Sequence, residues 1–235
     1  MKTIITLASL AISSFAIAQD NYTIKSAVSV EGLPADQAAF GEMESTTYIK
    51  GDKMKMELSS MMYNMTVAND GEKTFMLQEV MGEKSGFYMT KAESEAEEKE
   101  AAAKEDKNKP KPKIVVTTDK KMIAGFEATK AFVYNTKKDG KQDTAIVWFT
   151  DKIKKPSTKS GRGMGPNLEG LTGFPLETTY KQNQMGMSMT VTNKANEVLT
   201  TAIDDKTFAV DTAGYKVTNY KVFKEKMKSA QGGPK

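Results

Sequence analysis

The chain has 235 residues, with 34 basic and 30 acidic side chains, no cysteine and no histidine. Without cysteine there is no disulfide or thiolate site, and without histidine there is no Ser-His-Asp triad, no histidine-ligated zinc or haem and no His-based acid–base catalysis. The net charge of +4 is small and spread along the sequence, so we expect no nucleic-acid partner.

The amino terminus has the pattern of a cleavable signal peptide. Lys2 supplies a positive charge, residues 4–17 are apolar and uncharged, and Ala16 and Ala18 put small residues at the positions that a signal peptidase reads. The apolar run is shorter than the roughly 20 residues of a membrane-spanning helix, and no later stretch approaches that length. We predict cleavage after Ala18, one β domain over residues 19–235, and a periplasmic or secreted location.

Short alternating segments, separated by turn residues, fill the chain from residue 22 to residue 90. Hairpin turns are indicated at Gly51-Asp52 and at Asn69-Asp70-Gly71, because glycine, asparagine and aspartate tolerate positive φ. The segments between these turns are too short for typical helices and are rich in β-branched and aromatic residues. We therefore predict a series of antiparallel strands.

A charged excursion over residues 91–113 interrupts this pattern. Alanine, glutamate and lysine dominate residues 92–104, which favours a helix, but there is no apolar stripe, and Pro110 and Pro112 end the pattern. Such a segment cannot bury enough apolar surface to offset the entropy of ordering it. We predict a solvated helix or a disordered loop, with a partner-binding arm as the alternative.

The strand pattern resumes at residue 114. The strands predicted in this half are residues 114–117, 129–134, 143–149, 174–180, 185–191, 197–203 and 207–210, with a Gly- and Lys-rich loop over 156–173. Only residues 219–228 have helical apolar spacing, with Asn219 or Thr218 as the N-cap. About ten hairpin-linked strands with little helix predict a mostly β fold, an antiparallel sheet curled into an open or closed barrel.

Several segments, in order along the chain, resemble one known family. Residues 49–54 resemble its GDKMR strand, residues 123–131 its IAGYECKKA segment (with Ala128 where many members have Cys), and residues 173–177 its GLPLE element. The chain is thus similar to a secreted bacterial domain of unknown function, family 4412, related to the LolA/LolB lipoprotein carriers. The resemblance implies a strongly curved, open half-barrel with helices on its open side. It suggests hydrophobic-ligand handling and supplies no catalytic residue.

Methionine is the outstanding feature, with 16 in the sequence. Alternation along a strand puts every second side chain on one face, and it groups Met54, Met56 and Leu58 on one face, Met61, Tyr63, Met65 and Val67 on another, and Met185, Met187 and Met189 on a third. Three interpretations stay open: an ordinary core, an apolar surface for a lipid, and a Cu(I) site. A strand spaces alternate sulfurs roughly 6–7 Å apart, too far to share one ion without help.

Other candidate motifs do not support chemistry. The glycine-rich segment 161–166 lacks the Gly-Lys-Ser/Thr of a phosphate loop, so we expect a flexible loop there. The segment 139–143 has too few carboxylates for a calcium loop and is predicted to be a turn. No pair of carboxylates stands out for glycosidase chemistry, and Trp148 is the only tryptophan that could stack on a sugar.

The sequence therefore predicts a non-catalytic exported protein with no cofactor and no resident metal. We expect it to bind or carry a hydrophobic ligand, a lipid or a lipidated partner, with envelope proteins as candidate partners; a methionine-based Cu(I)-binding envelope protein is the alternative. The predicted ligand-binding residues are Met54, Met56, Leu58, Trp148, Met185, Met187 and Met189.

Overall fold

The fold comes from a computed structural model, which describes residues 21–35, 37, 41–104, 111–136, 142–155, 165–184 and 187–231. Twelve strands and two α helices lie within these residues. The strands are β1 Asn21–Glu31, β2 Glu42–Lys50, β3 Lys53–Ser59, β4 Tyr63–Asn69, β5 Lys73–Val80, β6 Glu83–Thr90, β7 Lys113–Ile123, β8 Phe126–Thr136, β9 Gln142–Thr150, β10 Phe174–Gln184, β11 Met187–Leu199 and β12 Lys216–Asn219. The helices are α1 Lys91–Lys104 and α2 Tyr220–Gln231.

All twelve strands belong to one sheet, in the order β12-β6-β5-β4-β3-β2-β1-β11-β10-β9-β8-β7. Each neighbouring pair is antiparallel except β12 and β6, which run parallel. Among the described residues the two edge strands, β12 and β7, do not pair with each other, so the sheet is not closed. The predicted mostly β class, with an open, curved antiparallel sheet and a C-terminal helix, is confirmed.

Three predicted strands near the carboxyl end are corrected. Residues 207–210 were expected to form a closing strand, but residues 205–208 form a short 3-10 helix. The side chain of Asp204 accepts a hydrogen bond from the backbone amide of Lys206 at 2.9 Å and thereby caps the turn. The segments 185–191 and 197–203 were expected as separate strands, whereas Met187–Leu199 is one long strand.

The charged excursion begins as the helix α1. Thr90 and Glu93 form a capping box: the Glu93 carboxylate accepts the Thr90 backbone amide at 2.9 Å, and the Thr90 hydroxyl accepts the Glu93 amide at 3.3 Å. Residues 105–110 lie outside the described residues. The helix α2 begins as predicted, because the side chain of Asn219 accepts the backbone amide of Lys221 at 2.9 Å.

The two helices are tied together by polar contacts. Lys224 of α2 is 2.8 Å from Glu97 of α1, and the side-chain amide of Asn219 donates to both oxygens of Glu93 at 3.0 Å. The aromatic ring of Phe223 on α2 stacks on Phe87 of β6 at a centroid distance of 4.7 Å. The helices therefore sit at the edge of the sheet that is formed by β12 and β6.

Candidate functional site

The pairing register of β3, β4 and β5 places on one face of the sheet side chains that the sequence analysis had assigned to different faces. Leu58 on β3 lies opposite Met65 on β4, and Met56 lies opposite Val67, which in turn lies opposite Met76 on β5. Residues directly opposite in an antiparallel pair share a face of the sheet. The expectation that the Met54 group and the Met65 group occupy different faces is therefore wrong.

These side chains form one apolar cluster, which we call the methionine face. It consists of Val28, Met43, Met56, Leu58, Tyr63, Met65, Val67 and Met76, all of them on β1 to β5. Met65, Val67 and Leu58 are buried, with 2%, 7% and 8% of their surfaces exposed, and they form a closed floor. The other members are only partly buried and surround the floor as a rim.

The chemistry available at the methionine face is apolar contact. None of its members carries a charge at neutral pH, and burial raises the pKa of the Tyr63 phenol, so that group stays neutral. The polar side chains directly opposite members of the cluster are uncharged as well; they are Ser45, Thr47, Gln78 and Asn193. The face can bind an apolar group through buried area and flexible thioethers.

The other predicted methionines lie further along the same face or outside the described residues. Met54 is two residues from Met56 on β3 and packs against a neighbouring cluster that contains Ile24 and Ile49. Met189 on β11 is 7% exposed and Met187 is partly buried, three strands away from β3 in the sheet order. Met185 falls outside the described residues.

Trp148 lies on the opposite face from the methionine face. It pairs with Lys130 on β8 and Glu177 on β10, whereas its neighbour Val147 points to the methionine side. The Lys121 ammonium lies 4.3 Å from the centre of the Trp148 ring and 2.8 Å from the Glu177 carboxylate. The structure thus places Trp148 in a charged stack. Trp148 also packs against the apolar cluster that contains Ile24 and Ile49, which Met54 contacts as well, and it is not a member of the methionine face.

Sequence reasoning missed several members of the face and misplaced one methionine. Val28, Met43 and Met76 were not predicted as ligand contacts, and Met61, grouped with Tyr63, lies in the β3–β4 turn with 85% of its surface exposed. The short connection of residues 60–62 could have related β3 to β4, because a tight turn fixes which residues of the two strands face each other. The positions of Val28, Met43 and Met76 depend instead on the register of β1, β2 and β5.

Two other features of the described residues bear on candidate sites. A cleft of about 430 Å³ lies at the β1–β2 connection, and its wall contains none of the predicted ligand-binding residues; it is lined by Ser29, Val30, Glu31, Gly32, Leu33, Gly41 and Glu42. In the described part of the chain, no group of three or more carboxylates is arranged to hold a metal ion.

Comparison with known proteins gives remote similarities. No family model and no curated protein matches the chain, so the resemblance to family 4412 stays a prediction. The structure of PNGF-II is 14% identical with a TM-score of 0.43 over 89% of this chain, which spans about a third of PNGF-II (33%). The Mycobacterium tuberculosis lipoprotein LppX is 9% identical with a TM-score of 0.34, covering 77% of this chain and 88% of LppX.

A third similar structure is MucB, 12% identical with a TM-score of 0.36 over 83% of this chain and 58% of MucB. At these scores and identities none of the three assigns a function to this chain. No α helix in the described residues is both long enough and apolar enough to cross a lipid bilayer.

Proposed function

We propose that this chain is an exported, non-catalytic protein that binds or carries a hydrophobic ligand, a lipid or the acyl group of a lipidated partner, on the methionine face. The observation that supports this proposal most directly is the rim of partly buried methionine, valine and tyrosine side chains around a buried apolar floor. The signal-peptide pattern of residues 1–18 supports export to the periplasm or beyond.

Energetics favours an apolar occupant. Each methylene group removed from water contributes about 0.8 kcal/mol, so an acyl chain gains affinity steadily along its length. Methionine side chains have three rotatable bonds and a polarisable sulfur, which lets a rim of them fit chains of differing shape. Because no member of the methionine face is charged, binding an acyl chain there buries no charged side chain of the face.

The test is displacement of a fluorescent fatty acid from the delipidated mature protein. We expect Met56→Lys to weaken binding at least about tenfold, since a charge beside the acyl chain opposes its burial. The fold should survive, because Met56 is only partly buried and a lysine can extend its ammonium to water. Met187→Lys, on β11, shows whether the ligand reaches that end of the face.

Two control variants separate charge from shape. Met56→Leu keeps apolar volume and should bind like the parent. Met122→Lys places the same charge on an exposed methionine of β7, outside the methionine face, and should also bind like the parent. A parent protein that binds no fatty acid, or a folded Met56→Lys variant that binds as well as the parent, would contradict the proposal.

A further inference from the structure

Two neighbouring turns at one end of the sheet expose four large apolar side chains, which we call the apolar tip. They are Met61 and Met62 in the β3–β4 turn and Val80 and Met81 at the β5–β6 turn, with 85%, 37%, 42% and 71% of their surfaces exposed. The backbone amide of Met81 donates to the carbonyl of Met62 at 3.1 Å. This hydrogen bond holds the two turns together as one surface.

The backbone at Met81 indicates that its side chain is there for a reason other than folding. Met81 has φ of 50° and Gly82 has φ of 85°, in a two-residue turn between Val80 and Glu83. Such turns need positive φ at both positions and favour asparagine, aspartate or glycine. A methionine in this conformation is strained, and strained residues that persist cluster at functional positions.

The charges next to the apolar tip balance one another. Lys84 lies 3.8 Å from Glu79, and Lys216 of β12 lies 3.8 Å from Glu83. The tip therefore presents an apolar surface bordered by paired charges of opposite sign. A partner recognised through its charge would find no complementary field here.

The size of the apolar tip argues against a second copy of the chain or another stable protein partner. Four side chains at these exposures offer an area of a few hundred Å², whereas a stable interface needs about 800 Å² from each partner. Binding at the headgroup–acyl boundary of a bilayer scales with the apolar area that is buried there, so a surface of this size suits shallow insertion better than a protein interface. We propose that the apolar tip inserts into the surface of a lipid bilayer.

This contact connects the membrane with the methionine face. Tyr63, a member of the methionine face, lies opposite Val80 of the tip, and β4 leads from the tip to Met65. An acyl chain that leaves the bilayer at the tip would reach the face along this strand. That consequence rests on the proposed function, whereas the insertion itself does not.

The test is flotation of the mature protein with phosphatidylcholine vesicles. We expect the parent to float and to remain bound in high salt, because insertion is apolar and not electrostatic. The double variant Met61→Ser, Met81→Asn should lose at least about tenfold in partitioning. Asn suits the positive φ of position 81 better than Met does, so the melting temperature should stay equal or rise, and lost binding cannot be ascribed to unfolding.

A spectroscopic measurement locates the inserted residue. In a Met61→Trp variant with the native Trp148 replaced by Phe, tryptophan emission should shift to shorter wavelength when vesicles are added. The control is Met122→Ser, which removes an exposed methionine from the opposite end of the sheet and should float like the parent. Tip variants should still bind the fluorescent fatty acid, and Met56→Lys should still float, so failure of the insertion and failure of the ligand proposal are distinguishable.

Three results would overturn the insertion. The first is a double variant that floats as well as the parent. The second is a parent that floats only when phosphatidylglycerol is added and is released by salt, which indicates attraction by charge. The third is a parent that does not bind vesicles. If that parent also forms a dimer that the double variant does not form, the tip contacts a second copy of the chain.

Discussion

One face of the sheet carries two apolar regions of different construction. Facing pairs connect them without a break, from Val28 on β1 through Asn193 and Thr178 to Val147 on β9. On β8 and β9 the side chains are small and sealed: Ala131, Val133, Ala145 and Val147 are each no more than 1% exposed. On β1 to β5 the side chains are mostly long, and the rim of the methionine face remains partly open.

The covering elements account for this difference. Leu168 and Leu171, from the connection between β9 and β10, pack onto the small residues of β8 and β9. In the methionine face, every described member of the cluster comes from a strand of the sheet itself. Small β-branched and alanine side chains let a loop approach closely and exclude water, whereas methionines leave an adaptable surface. One region is thus closed as a core, and the other stays partly open.

The largest effect is expected from a charge placed among the buried side chains of β8 and β9, which we call the sealed region. Val147 has no exposed surface, so Val147→Lys buries an ammonium with no partner, at a cost of several kcal/mol. We expect this variant to lose its cooperative thermal transition, whereas Met56→Lys retains one. Circular dichroism melts check both. Equal melting of the two lysine variants would show that the regions do not differ in kind.

A smaller effect is expected from removing the loop anchor. Leu171→Ala deletes a side chain that is 5% exposed and should lower the free energy of unfolding by about 2–4 kcal/mol, since buried leucine truncations leave a cavity. Met76→Ala, in the partly open rim, should lose about 1–2 kcal/mol, because less of its area is buried. Urea titration measures both values, and a Met76→Ala loss as large as that of Leu171→Ala would contradict the comparison.

Local chemistry was sufficient to predict the general fold. Turn residues such as Gly51 and Gly71 have positive φ as expected, and the apolar spacing of residues 219–228 is realised in α2. The error at residues 207–210 arose because this segment, Thr-Phe-Ala-Val, has strand-like composition, while the Asp204 cap favours a 3-10 helix that ends at Phe208. The composition of so short a segment does not decide between strand and turn.

The site was only partly predictable because it depends on register between strands. Alternation correctly related Met54, Met56 and Leu58 within β3, but it gives no information on which face of β4 continues theirs. The same limit applies to Trp148, whose position next to Val147 on β9 puts it on the opposite face. The position of Lys121 over the Trp148 ring could not be predicted either, because it depends on the pairing of β7 with β8 and on the ion pair with Glu177, which is distant in sequence.

The smallest effect that we expect is a pH dependence of the packing of α2. This helix packs on Phe87 of β6 through Phe223, and Phe87 lies opposite Met76 of the methionine face. The hydrogen bond from the Thr90 backbone amide, and then that from the Asn219 side chain, hold the pKa of Glu93 below its usual value. A lowered carboxyl pKa in the folded state means that the contact stabilises fully above the unfolded pKa, about 4.3, and that its contribution is lost as pH falls through the folded pKa. Acidification should therefore loosen α1 and α2.

The Thr90 amide resonance reports this titration directly, because that amide donates to the Glu93 carboxylate. We expect its midpoint in NMR spectra to lie below that of an ordinary glutamate and to disappear in Glu93→Gln, while Glu95→Gln, a change at an exposed position of the same helix, leaves it in place. Amide resonances of the buried Ala131, Val133, Ala145 and Val147 should move much less over this pH interval, since their cluster contains no carboxylate. Movement there of the same size as in α2 would show that the sealed region and the helix-covered edge respond as one unit, which the difference in their construction argues against.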